Sequence, residues 1–311
     1  MKICPITYEE FEDQGVYSKK GLKLLAPNLK ELHDFEYTAE EQRELSLKLL
    51  ERMSIQGFQP KLTAKLNIKD GKFSATDRGG TYILKPQTVE YRELPENEDL
   101  SMRLAKSFGI DIPLHGLIYS KDRSMTYFIK RFDRIGRGQK TYTEDFTQLA
   151  GLDREAKYEY SYEKCIAIIE NFLTFPAIEK IKFFKMLLFS FVIGNDDLHL
   201  KNLSVIKRDD VYQLSPGYDF VNVHVAMGSK PRDELALTLK GKRKKLTYND
   251  LIEYFAYERL ELNEKTVQEN LNLLSDNMHS WEVLIKRSFL SAGFKENYMK
   301  LVESRFKALG I

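Results

Sequence analysis

One stretch limits what this chain can fold into more than any other. Ile178 to Ile193 is strongly apolar, and the polar run Asn195-Asp196-Asp197-Leu198-His199-Leu200-Lys201-Asn202 follows almost at once. A helix that is apolar on all sides must be buried in protein or cross a membrane. Its longest apolar part, Met186 to Ile193, is interrupted by Ser190 and falls far short of the ~20 residues a membrane span needs. It therefore reads as a core helix, and the carboxylates and amides beyond it as a polar loop carried on that core.

With 311 residues the chain exceeds a typical single domain, so one large bilobal domain or two packed ones is expected. Lys and Arg number 48 against 46 Asp and Glu, a net charge of +2, and 42% of residues are hydrophobic. That balance supports a sizeable core and gives no global pull toward nucleic acid or an anionic membrane. Two cysteines, Cys4 and Cys165, are too few for a disulfide framework or a four-thiolate zinc site. The start MKICPITYEEFED turns acidic too early for a signal peptide, so a cytoplasmic protein with no membrane association is expected.

Periodicity and breakers supply the organisation. Residues 40 to 53 alternate acidic and apolar positions at helical spacing. Leu62, Ala64, Leu66 and Ile68 recur every second residue, and Asp70-Gly71 predicts a hairpin turn before the next strand. A third strand runs from Thr81 to Lys85. Leu100, Leu104 and Phe108 then predict a helix opening near Asn97 and closing at Gly109. Strands His115 to Tyr119 and Met125 to Arg131 precede a polar break at 133 to 140, which sets the expected lobes at 1–133 and 134–311. The second lobe reads as helical over Tyr162 to Thr174, Ile178 to Ile193 and from 248 onward. One hairpin interrupts it, Asn202 to Val205 with Val211 to Leu214, turning through Lys207 to Asp210.

Asp197 and Asn202 have the Asp-x4-Asn spacing of phosphotransferase catalytic loops, in which the Asp accepts a hydroxyl proton and the Asn amide oxygen reaches a magnesium ion on the ATP phosphates. Asp196 is one residue off that spacing and reads as structural. Lys201 can neutralise charge on the transferred phosphoryl group. Taken alone, the spacing also fits a polar loop at a helix end. The next acid, Asp219 before Phe220, changes that weighting, because the intervening hairpin returns it toward Asn202 and pairs amide with carboxylate oxygen as a magnesium site. In the first lobe, Lys85 at a strand end and Glu98 in the expected first helical turn match the Lys and Glu pair that holds α- and β-phosphates in kinase-like sites. Read singly, they also fit a solvated strand-end lysine and an acid favoured at a helix N-terminus. Ser54-Ile55-Gln56-Gly57-Phe58-Gln59-Pro60-Lys61 stands where a phosphate-covering loop belongs, although its single glycine matches no standard phosphate-loop pattern. The expected fold is therefore α+β and protein-kinase-like, with a small strand-rich N-lobe and a mainly helical C-lobe.

The ordered motifs SIQGFQPKL, YILKPQ, PENEDLSMRLAKSFGIDIP, YFIKRFDR, IGNDDLHLKNLSV and LSPGYDF, from about Ser54 to about Lys245, resemble the HipA-like Ser/Thr kinases of bacterial toxin–antitoxin modules. The resemblance implies Asp197 as catalytic base, with His199 and Lys201 as the family's catalytic-loop histidine and lysine. It implies Asn202 and Asp219 as Mg2+ ligands, Lys85 as the ATP phosphate lysine, and Lys130, Arg131 and Phe132 as the hinge receiving adenine. Ser54 falls in the loop these kinases autophosphorylate, and Ser54, Gln56, Gly57, Gln59 and Lys61 would face ATP. Only about fifty residues precede Ser54, so the chain is similar to the short HipT-like form, whose N-terminal subdomain is a separate small protein. That resemblance implies a HipS-like small partner, a HipB-like DNA-binding antitoxin, no direct specific DNA binding, and an aminoacyl-tRNA synthetase as protein substrate.

Two other classes fit parts of the pattern. A small-molecule phosphotransferase of the antibiotic or choline kinase type shares Asp-x4-Asn and a later Asp. An ATP-binding scaffold without catalysis is disfavoured by intact Lys85, Asp197, Asn202 and Asp219. The basic run Lys240, Lys242, Arg243, Lys244 and Lys245 reads as a solvated turn, or as a docking site for an acidic or tRNA-bound substrate. Met227 to Asp233 reads as a mobile segment after Asp219, Trp281 as core, and His33, His115, His224 and His279 as lacking metal-ligand spacing.

Overall fold

The computed structural model describes residues 1–51, 59–136, 138–228 and 233–311. They sort into two compact units, Met1–Leu100 with Pro113–Lys140 and Arg287–Ser291, and Ser101–Ile112 with Thr141–Lys286 and Ala292–Ile311.

The first unit begins with a small strand pair, β1 (Lys2–Ile3) and β2 (Glu10–Phe11), and helices α1 (Lys19–Leu25) and α2 (Ala39–Glu51). Thr38 and Glu41 start α2 with a reciprocal cap. The Glu41 amide donates to Thr38 Oγ1 at 3.1 Å and the Thr38 amide to Glu41 Oε2 at 2.7 Å, which satisfies two otherwise orphan donors. Strands β3 (Leu62–Asn67), β4 (Lys72–Ala75), β5 (Tyr82–Pro86), β6 (His115–Tyr119) and β7 (Met125–Lys130) form an antiparallel five-stranded sheet in the order β4-β3-β5-β7-β6. The β3–β4 turn is the expected one, with Gly71 at φ 57°. Phe73, Tyr82 and Phe128 form the aromatic centre of a core shared with Cys4, Ile6 and Phe35. Between β5 and β6 lies α3 (Leu94–Ser107), which starts three residues before the expected Asn97. The polar break at 133–140 holds a small hairpin of β8 (Arg134–Ile135) and β9 (Gln139–Lys140).

In the second unit, β10 (Thr143–Asp145) leads into α4 (Phe146–Leu149) through an Asp145–Gln148 capping box, and α5 (Tyr162–Phe172) precedes α6 (Pro176–Ile193). The α6 side chains from Met186 to Ile193 are all buried, Ser190 among them, as the apolar character of the stretch requires. Strands β11 (Ser204–Arg208) and β12 (Val211–Leu214) make the expected hairpin, but its turn is tighter than Lys207 to Asp210. Lys207 and Arg208 are paired in β11, and the turn is Asp209-Asp210, both at positive φ (47° and 65°). Two left-handed residues match the twist of a two-residue hairpin, and Asp tolerates that backbone region. The sheet has a third strand that the sequence reading missed, since β10 pairs with β11.

Helix α7 (Val223–Met227), a π-helical stretch at Asn249–Arg259, α8 (Glu264–Arg287) and α9 (Ala292–Ala308) complete the chain. Trp281 is fully buried, with Phe189 at 5.7 Å and Phe306 at 5.9 Å between ring centroids, as its core assignment predicts. Among the described residues, no helix is long and apolar enough to cross a membrane.

Candidate active site

The candidate residues are distributed over both units, and each group is described within its own. In the second unit, α6 stops at Gly194 (φ 70°), where a Cβ would stand 2.4 Å from Leu301. Glycine alone fits both the left-handed turn and the close approach. The loop beyond is pegged by fully buried Leu198 and Leu200, and Tyr162 donates its hydroxyl to the Leu198 carbonyl at 2.9 Å. Asp197 lies next to a peg and keeps its side chain 46% exposed. Its backbone is held from three directions. The Asp197 amide donates to Asn195 Oδ1 at 3.2 Å, while the Asp197 carbonyl accepts from the His199 amide at 2.7 Å and Asn202 Nδ2 at 2.8 Å. Asn202 is in a 3-10 turn, Leu200–Asn202, rather than at the strand start expected for it. With its NH2 end committed to Asp197, its oxygen is the end suited to a hard cation.

Asp219 follows Tyr218, whose hydroxyl donates to the Lys201 carbonyl at 2.8 Å and lies 2.6 Å from Ser204 Oγ. The Ser215 amide donates to the Ser204 carbonyl at 2.8 Å, closing the open end of the hairpin. On the other side Phe220 is fully buried against Phe189, with ring centroids 5.2 Å apart. Asp219 is held between these anchors at φ 57°, a left-handed conformation a non-glycine residue seldom keeps unless its surroundings impose it. Asp197 and Asp219 both act electrostatically on His199 and on Lys157, which puts both carboxylates within reach of the same pair of groups.

His199 is buried and its imidazole is held below its ordinary pKa by desolvation, against the pull of Asp197. Its Nε2 is 3.8 Å from Asp197 Oδ1, too far for a hydrogen bond, and its Nδ1 has no hydrogen-bond partner among the described residues. Burial also pushes Lys157 down, opposed by Asp197 and Asp219. Asp196 is half-buried beside the loop. Sequence reasoning overlooked four groups that shape this loop: Asn195, Lys157, Tyr158 and Tyr218. Tyr158 donates its hydroxyl to Asp197 Oδ1. The signal for it was an aromatic residue amid charges, in REAKYEY, where no apolar period explains it.

In the first unit, Lys85 Nζ is 2.6 Å from Glu98 Oε1, both side chains being buried. Lys85 is paired across the sheet with Tyr127, and its ammonium lies 5.9 Å from the ring centroid. Glu98 is in the second turn of α3 rather than the first, where Glu96 stands, because the helix begins at Leu94. The adjacent Asp99 lies 2.8 Å from His115 Nδ1 with both side chains buried, a hydrogen-bonded pair that the isolated position of His115 in the sequence did not suggest. Arg131 is committed to Asp133 through Nε at 2.9 Å and Nη2 at 2.6 Å. Lys130 is exposed and Phe132 half-buried. Ser54, Gln56 and Gly57 lie outside the described residues. Gln59 has a buried Nε2 with no hydrogen-bond partner among the described residues, and the Lys61 amide and carbonyl both bind Ser46 Oγ.

The basic run is largely committed to structure. Lys242 pairs with Asp250 at 2.6 Å, Arg243 donates to the Tyr158 carbonyl at 2.6 Å, and the Lys240 ammonium lies 4.9 Å from the Tyr254 ring centroid. Lys244 and Lys245 are exposed. Met227 closes α7, and residues 229–232 lie outside the described residues.

Residues 53–281 match the HipA-like C-terminal domain. The chain belongs to this HipA-like family. A Haemophilus influenzae protein named "Putative kinase" is 32% identical over 244 residues, covering 72% of this chain and 69% of that protein. Three other relatives named as kinases are matched over 56%, 48% and 43% of their own length, so the chain spans about half of them. Among solved structures, HipA of Shewanella oneidensis, in complex with HipB and operator DNA, superposes with a TM-score of 0.69 at 20% identity, covering 91% of this chain and 74% of that one. The Helicobacter pylori proinflammatory kinase CtkA gives a TM-score of 0.54 at 17% identity, over 79% of this chain and 92% of that one. The fold is therefore the kinase-like α+β fold of these proteins.

Proposed function

We propose that the chain is an ATP-dependent Ser/Thr protein kinase. The observation that carries this reading is the loop in which Asn202 is bonded to the Asp197 carbonyl while Tyr218, next to Asp219, is bonded to the Lys201 carbonyl. Base, amide and second carboxylate are thus fixed relative to one another before any substrate binds, and positioning supplies most of phosphoryl-transfer catalysis. Asp197 accepts the proton of an acceptor serine hydroxyl, the serine oxygen bonds to the γ-phosphorus, and the bond from γ-phosphorus to the β-bridging oxygen breaks to release ADP. Lys201 offsets charge on the transferring group, Lys85 held by Glu98 neutralises the α- and β-phosphates, and Lys130 to Phe132 receive adenine. The Gln59 amide is a donor suited to a phosphate oxygen. Asn202 and Asp219 offer the hard oxygen ligands that suit Mg2+, which would neutralise phosphate charge. His199 supports the loop as a neutral imidazole.

In this reading Ser54 is the autophosphorylation site. The protein acts as the toxin of a toxin–antitoxin module in the cytoplasm, and its form is HipT-like. Its partners are a HipS-like small protein and a HipB-like DNA-binding antitoxin, and its substrate is a serine of an aminoacyl-tRNA synthetase. The functional lobes divide near residue 133. Incubating the full chain with radiolabelled ATP and cell lysate tests this. Label on a protein serine, including Ser54, is expected, whereas label confined to small alcohols would replace this reading with small-molecule phosphotransfer.

A further inference from the structure

The Tyr158 hydroxyl donates to Asp197 Oδ1, a bond that the reading above does not use. We propose that Tyr158 is a positioning residue for Asp197, holding one carboxylate oxygen so that the other meets the acceptor hydroxyl. The inference rests on the phosphotransfer reading.

Tyr158 is itself immobilised. It ends the 3-10 helix Arg154–Tyr158, and Arg243 Nη2 clamps its carbonyl at 2.6 Å. Its ring meets His199 edge to face, 4.9 Å between centroids at 74°, and the Lys157 ammonium lies 4.7 Å from its centroid. His199 in turn is buried and its amide is bonded to the Asp197 carbonyl. The phenol is therefore fixed through backbone and ring before it reaches the carboxylate. Asp197 has its main chain held by Asn195, His199 and Asn202. Its principal remaining freedom is side-chain rotation, and the Tyr158 hydroxyl restrains that. A carboxylate accepts at both oxygens, so one can be held while the other works. The side chain is 46% exposed, so the carboxylate remains open to an incoming hydroxyl.

The test is Tyr158→Phe in the full chain, which keeps the ring against His199 and removes only the donor. Phosphate incorporation from radiolabelled ATP is measured at saturating nucleotide and divided by the number of ATP sites counted calorimetrically. A tenfold or greater loss of rate per ATP site is expected, with ATP affinity within twofold of wild type. A purely structural role would lower the number of sites and leave the rate per site alone. A rate per site within twofold of wild type, or above it, overturns the proposal. Should Tyr158→Phe bind no ATP, Arg243→Met, which loosens the clamp, is read the same way, and an unchanged rate there also overturns it. Absence of transfer by the wild-type chain overturns the kinase reading and this inference together, whereas active wild type with an unaffected variant removes only the role of Tyr158.

Discussion

Asn202 donates its side-chain amide to the main-chain carbonyl of Asp197 at 2.8 Å, while its own backbone amide donates to the His199 carbonyl at 2.9 Å. A single turn therefore sets both the proposed base and the proposed metal ligand. Asp197→Asn removes the proton acceptor and leaves the shape of the turn. Phosphate transfer should fall by at least ~100-fold, in line with the loss of a positioned base. ATP binding measured by calorimetry should stay within twofold. Transfer at the wild-type rate would remove Asp197 from the chemistry.

Lys85 and Glu98 are buried together, so each partner compensates the other's desolvation. Lys85→Met removes the cation that faces this buried carboxylate and should cost ~3–5 kcal/mol in urea unfolding. Adding Glu98→Leu should recover most of that stability without restoring ATP affinity. If the single variant is as stable as wild type, the pair has no such mutual dependence.

Gly217 has no room for a side chain, since a Cβ there would stand 2.6 Å from the Phe220 ring and 3.1 Å from Ile110. Gly217→Ala must displace Phe220, and with it Asp219. A destabilisation of about 1–3 kcal/mol is expected from overpacking, together with a loss of transfer larger than the unfolded fraction explains. Thermal melts and transfer rates on the same sample separate the two effects.

Burial raises the Glu96 carboxyl from 4.5 to about 7. The folded state therefore keeps a proton that the unfolded chain releases. Stability contributed by the neutral acid is complete below pH ~4.5 and is lost progressively as pH rises to about 7. The shift corresponds to ~3 kcal/mol. Glu96→Gln should flatten this part of the profile and be the more stable form at pH 8, as judged by denaturant midpoints across pH. A slope unchanged by the substitution would assign the dependence to other groups.

Features carried by local patterns were legible in the sequence. Strong apolarity marked α6, alternation around Asp70-Gly71 marked the β3–β4 hairpin, and the Asp-x4-Asn spacing singled out the loop that the structure fixes so tightly. Features made by distant residues were not. Thr143–Asp145 forms a strand only because Ser204–Ile206 offers it an edge, and three residues carry too little period to declare themselves. Tyr158 and Asp197 are 39 positions apart, and only the folded chain joins them. The spacing of Lys85 and Glu98 allowed a pair but said nothing of its burial, which depends on the strands flanking β5 and on α3 starting at Leu94.

The residues Arg287–Ser291, from the last residue of α8 to the start of α9, belong to the first unit, where Phe289 packs on Tyr8 at 5.6 Å and the Ser291 amide donates to Glu93 at 2.7 Å. No single cut of the chain therefore yields two whole units. A fragment ended at residue 286 would remove Phe289 from the first unit and α9 from the second, so any dissection of this protein has to be done by substitution rather than by truncation.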